Sequence, residues 1–153
     1  MHRPPDCQHL APRPQPNSGS QASLTSVYVL GNAPSPRLLD LGGPFDGDYH
    51  ATVYYLPGTS GWTSTYGGLP TALWARPEPM ILTAGSNLGV QANGFGFTIS
   101  WATNHPVVVE ASTDITQAAW SPVSTNILTD GWSYFTDPNW TNHPARFYRL
   151  RAQ

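Results

Sequence analysis

The stretch Phe95-Gly-Phe-Thr-Ile-Ser-Trp101 decides the fold. Phe95, Phe97, Ile99 and Trp101 alternate with Gly96, Thr98 and Ser100, a period of two that predicts a strand with one face in a core and one turned away. After the turn-forming Ala102-Thr-Asn-His-Pro106, Val107, Val109 and Ala111 alternate in the same way with Val108, Glu110 and Ser112. The chain closes on Ala145-Arg-Phe-Tyr-Arg-Leu-Arg151, where Tyr148 and Leu150 share a face and Phe147, Arg149 and Arg151 take the other.

Working outward, Asn87 to Gln91 reads as a short preceding strand, and Asn93-Gly94 as a tight hairpin turn. Ala119 to Thr125 around Trp120 and Val123, Ile127-Leu128, and Trp132 to Phe135 supply the rest. Five to seven strands at roughly ten-residue spacing predict a small antiparallel β-sandwich over residues 78–153. Within it, Trp101 shares the parity of Phe97 and Ile99, and Trp120 takes the place of a core tryptophan.

Composition agrees with a mainly β protein. The 153 residues include 14 glycines and 16 prolines, while only 10% are charged. All seven basic residues are arginine, and the formal net charge of −2 is spread without acidic or basic blocks. That pattern lacks the basic patch of a nucleic-acid-binding protein. No apolar run reaches the roughly 18 residues of a membrane helix, and the first ten residues lack the apolar centre of a signal peptide. Cys7 is the single cysteine, so no internal disulfide and no paired-cysteine metal site is expected.

Residues 1–23, with Pro4, Pro5, Pro12, Pro14 and Pro16 among Gln, Ser and Asn, show no structural period and predict a disordered leader. Residues 24–77 hold an internal echo. Val27-Tyr-Val-Leu30 and Val53-Tyr-Tyr-Leu56 lie 26 positions apart, each followed by a Gly or Pro turn. That offset is within the period of leucine-rich repeats, with Phe45 as a core plug of the return segment; two strands of an ordinary hairpin or sheet that share a Val-Tyr start would have the same spacing. Arg76-Pro-Glu-Pro79 is expected to be a short stiff linker with the boundary near residue 78.

Three segments carry a resemblance: Leu24-Thr-Ser-Val-Tyr-Val-Leu-Gly-Asn-Ala-Pro34, Ala51-Thr-Val-Tyr-Tyr-Leu-Pro-Gly-Thr-Ser-Gly-Trp62 and Gly67-Gly-Leu-Pro-Thr-Ala-Leu-Trp74. Together they resemble the closing repeat and cap of the BspA-like leucine-rich repeat proteins of bacterial surfaces. In that family many repeats lie upstream, with a Phe and a Cys before each Leu-Thr-Ser strand; both are missing before Leu24. Since one or two repeats cannot enclose a core, the chain reads as the tail of a longer parent. Phe95 to Arg151 is similar to the immunoglobulin- or fibronectin-like sandwich that closes many large secreted bacterial proteins. The resemblance implies a secreted or cell-surface location for the parent, and a part that caps, spaces or anchors the repeats.

The candidate chemistry is sparse. Thr-Asn-His-Pro occurs at residues 103–106 and 141–144, and His105 and His143 could be imagined beside Asp114 or Asp137 as metal ligands. A metal needs three or four convergent ligands, and histidines before proline more often close turns. Glu110 and Asp114 lack the facing pocket of a glycosidase pair, and Asp114 and Asp137 fit turn positions where the carboxylate accepts backbone amides. No nucleophile elbow, phosphate loop, dinucleotide fingerprint or zinc-protease motif occurs. The expectation is a monomeric, non-enzymatic structural or adhesive part that takes no cofactor and binds a protein or a surface polysaccharide. In the alternative, Trp132, Tyr134 and Trp140 form an aromatic platform that stacks on sugars.

Overall fold

A computed structural model describes residues 24–35, 45, 48, 50–117 and 119–153. The expected leader, with Cys7, lies outside the described residues. The chain is mainly β, and the described residues contain no α-helix. Among them no helix is long and apolar enough to cross a membrane.

The first part holds β1 (Ser26–Val29), β2 (Thr52–Tyr55), β3 (Thr65–Tyr66) and β4 (Leu69–Leu73). β1, β2 and β4 pair side by side and parallel, with Val27 beside Val53 and Val53 beside Thr71. The two Val-Tyr copies are therefore not a hairpin: Val27 sits beside Val53 and Tyr28 beside Tyr54, in register. β3 closes the far side of β4 as an antiparallel hairpin turned at Gly67-Gly68. Val27, Val29, Val53 and Leu69 face inward with Ala51, and Phe45 and Trp62 cover them from the return segments. Trp62 stacks on Tyr55 at 5.1 Å and donates its indole N–H to the Thr59 hydroxyl. Phe45 meets Tyr66 edge-on, so the plug read from the sequence is in place. Successive return loops also bond reciprocally: the Ser60 amide donates to Asn32 Oδ1, and the Ala33 amide donates to the Ser60 carbonyl.

The second part holds β5 (Met80–Ile81), β6 (Gly89–Gln91), β7 (Gly94–Ser100), β8 (Val107–Ser112), β9 (Ser121–Asn126), β10 (Trp132–Asp137) and β11 (Phe147–Ala152). β7 lies between β10 on one side and β5 and β6 on the other, and β8 lies between β11 and β9, all antiparallel. Phe97, Ile99 and Phe135 from one sheet meet Val107 and Val109 from the other, with Leu128 between and Tyr148 and Leu150 packed alongside. Each such side chain taken fully out of water contributes about 1.5–3 kcal/mol.

Three sequence expectations change. β7 has no solvent-facing side, because Thr98 and Ser100 are buried as deeply as Phe97 and Ile99. Their cover is the Pro57-Gly58 turn that follows β2: the Ser100 hydroxyl donates to the Pro57 carbonyl at 2.7 Å, and Gly58 lies against Thr98 and Trp132. Trp120 is not a core residue; it lies on the outside of β8 and β11 with the Arg149 guanidinium 4.5 Å over its ring. The β6–β7 turn runs through Ala92-Asn93, since Gln91 already pairs with Gly94.

The proline-bracketed stretch is pinned at both ends. The Arg76 carbonyl accepts the Trp101 indole N–H at 2.9 Å, and Met80-Ile81, directly after Pro79, form β5 on the edge of β7. The sandwich thus rests its outer sheet face on the loops that leave the C-terminal ends of the parallel strands.

Candidate functional site

β10 alternates strictly. Phe135 and Asp137 point into the sandwich, and Trp132 and Tyr134 point out at 43% and 40% exposure. Ahead of them, Thr129-Asp130-Gly131-Trp132 is a tight turn in which Asp130 and Gly131 both have positive φ, 53° and 81°. That is the Asp-Gly signature of a two-residue turn whose twist suits the flanking strands. Gly131 is doubly constrained, because a side chain there would also strike the Pro57 ring. Ile127, Thr129, Asp130, Trp132, Ser133 and Tyr134 line an open depression of about 340 Å³.

Trp140 belongs elsewhere. It sits in the short 3-10 turn Trp140–Asn142 and packs on Phe95 at 6.5 Å, at the far end of β10 from Trp132. At about 3.3 Å per residue, the ends of that strand lie roughly 17 Å apart. Two of the three sequence-predicted stacking residues are therefore together, and the third lines a separate hollow of about 200 Å³ with Phe95, His143, Arg146 and Tyr148.

Asp137, Glu110 and Asp114 are each engaged by donors within the chain. Asp137 is buried at the end of the sandwich, where it accepts Arg146 Nε at 2.6 Å, the Tyr148 hydroxyl at 3.0 Å and the Asn139 amide at 2.9 Å. Burial works to raise its pKa, but the Arg146, Asn139 and Tyr148 donors outweigh it and hold the carboxyl below the usual range. Tyr148 is pushed up to about 12, by burial first, then by its hydrogen bond to Asp137 and by the Asp137 charge. Glu110 lies on the outside of β8 between Arg149 and Arg151 at 2.7 and 2.9 Å, and hydrogen bonds from Arg151 and Arg149 lower its pKa. Asp114 accepts the Thr116 hydroxyl and amide, the turn role expected from sequence, and both donors lower its pKa.

His105 lies 6.1 Å from Trp101 at one end of β7, and His143 lines the hollow beside Phe95 at the other. The two Thr-Asn-His-Pro loops do not meet. Among the described residues no three His, Cys, Asp or Glu side chains converge as a metal site.

A further aromatic group went unread in the sequence. Tyr28 and Tyr54, in register on β1 and β2, stack at 5.1 Å and 16°, and Trp74 joins Tyr28 at 4.7 Å. Arg76 extends the row with its guanidinium 4.8 Å over Trp74. Tyr28 is 54% exposed. The signal was the Val-Tyr echo itself, because parallel pairing of two equivalent strands sets like residues side by side.

The chain matches no family model, no curated protein and no solved structure.

Proposed function

We propose that this chain is the non-enzymatic, structural and adhesive end portion of a secreted or cell-surface leucine-rich repeat protein of the BspA-like kind. The observation that carries the reading is the asymmetry of the parallel sheet. On one side, β4 is closed by antiparallel β3; on the other, no strand among the described residues pairs with β1, where Tyr28 and the following Leu30 are exposed. An exposed strand edge is a template for further pairing. A preceding repeat would extend the ladder Val27–Val53–Thr71 and the reciprocal loop bonds of Asn32 and Ser60.

In this reading the sandwich is a buttress rather than a tethered bead. It seals the loop ends of the last coils through Pro57, Gly58 and Arg76. The row Tyr28, Tyr54, Trp74 and Arg76 is then the last part of a recognition face continued on earlier repeats. Rigid aromatic rings and arginine are the side chains that most often anchor protein partners.

The test is to fuse consensus repeats ahead of Leu24 in the parallel register, and the same repeats behind Gln153. Repeat arrays gain stability through neighbour interfaces. The forward fusion is expected to unfold in one transition at a Tm that rises with each added repeat, and the rear fusion in two. Independent unfolding of the forward fusion contradicts the proposal.

A further inference from the structure

The geometry points to a glycan-binding subsite on the outer face of β10, taking a neutral β-linked glucan, with Trp132 and Tyr134 as stacking rings and Asp130 as hydroxyl acceptor. The inference is independent of the end-of-array reading, because it rests on β10 and its turn.

The first ground is how the rings are seated. Tyr134 lays the para end of its ring across Gly96 on the neighbouring strand, so that any side chain at Gly96 would overlap it. Trp132 has its Cβ and Cγ against Gly58, where a methyl would approach to 3.0 and 3.2 Å. Each ring thus has one part held by glycine backbone and the remainder in water. Neither joins the sandwich core. Side chains at alternate positions of a strand are about 6.6 Å apart, close to the length of one pyranose unit.

The second ground is polar. Asp130 accepts no hydrogen bond and forms no ion pair among the described residues, unlike Asp114, Asp137 and Glu110. Its left-handed backbone puts it at the tip of the turn beside Trp132. A carboxylate unpaired among the described residues, on the rim of the depression beside Trp132, suits vicinal sugar hydroxyls, which donate in pairs. It also repels uronic acids and sulfated chains, since no arginine lines the depression to offset it.

The third ground is size. About 340 Å³ falls at the low end of small-ligand clefts. It holds one or two sugar units of a longer chain. In β-linked glucose all ring substituents are equatorial, which leaves both ring faces apolar and able to lie on tryptophan and tyrosine.

The experiment titrates the full chain with cellohexaose and with the β-1,3-linked hexasaccharide, followed by calorimetry and tryptophan fluorescence, with polygalacturonate as the anionic control. Saturable binding of one hexasaccharide in the millimolar range or tighter is expected, with no binding of polygalacturonate. Trp132→Ala and Tyr134→Ala each weaken it at least tenfold, equivalent to about 1.4 kcal/mol or more. Asp130→Asn, which keeps a residue tolerant of left-handed backbone, weakens it several-fold. Trp140→Ala, at the far end of β10, leaves it unchanged, and unaltered circular dichroism of the Trp132→Ala and Tyr134→Ala chains separates lost binding from unfolding. No saturable signal with either hexasaccharide, binding that survives Trp132→Ala, or preference for polygalacturonate overturns the proposal.

Discussion

The hydroxyl of Ser100 and the carbonyl of Pro57, 43 positions apart in sequence, are joined by a buried 2.7 Å hydrogen bond. It ties the outer face of the sandwich to the turn that leaves the second parallel strand. Removing the donor would leave a buried carbonyl without a partner, which costs about 1–3 kcal/mol. Ser100→Ala is expected to lower unfolding free energy in urea by that amount, while Ser121→Ala, at an exposed strand position, stays within about 0.5 kcal/mol.

Asp137 couples the two sheets of the sandwich through Arg146 and Tyr148. Asp137→Asn strands a largely buried guanidinium, and the expected loss is about 3 kcal/mol, at the low end for a broken buried pair because Arg146 keeps some access to water. Equilibrium denaturation of the two proteins at neutral pH measures it.

The same cluster sets both limbs of the pH profile. Asp137 has a folded pKa below its unfolded value, so its contribution is fully present above about pH 4 and is lost as pH falls through the folded value. Tyr148 is displaced in the opposite sense, to about 12. Between the ordinary tyrosine value near 10 and that figure, the unfolded chain has released a proton that the folded chain retains, and stability declines as pH rises. Thermal melts across pH should show both limbs. Tyr148→Phe should abolish the alkaline limb and, by removing one of Asp137's donors, also shrink the acid limb without abolishing it.

Trp120 offers a test of where a tryptophan counts. Placed outside the core beneath Arg149, it should cost about 1 kcal/mol on truncation to alanine, mostly lost cation–π contact, against about 3–5 kcal/mol for a tryptophan inside a core. Chemical denaturation of Trp120→Ala decides between the two values.

Those contrasts mark what sequence could and could not carry. The inward parity of Phe97, Ile99, Val107, Val109, Tyr148 and Leu150 was legible because a strand's side-chain period is local. The cover over Thr98 and Ser100 was not, since it comes from a turn some forty positions earlier. Trp120 misled for a related reason: its spacing fits a core position, but Glu110 draws Arg149 and Arg151 across the outer face, and Arg149 roofs the indole there. Trp132 and Tyr134 were legible as exposed rings. Their separation from Trp140 followed only from the length of β10, and the free carboxylate of Asp130 only from the fold of its turn. Tyr28 and Tyr54 show the opposite case, a site written plainly as a repeat whose meaning depended on parallel pairing.

Because the sandwich docks on the loop ends of the parallel strands, both parts are expected to fold as one unit. Differential scanning calorimetry of the chain measures this most directly. One transition is predicted, with calorimetric and van't Hoff enthalpies equal, and Ser100→Ala should lower its Tm without splitting it. Two separate transitions, with only the later or earlier one moved by Ser100→Ala, would contradict the docking and leave the sandwich a tethered neighbour.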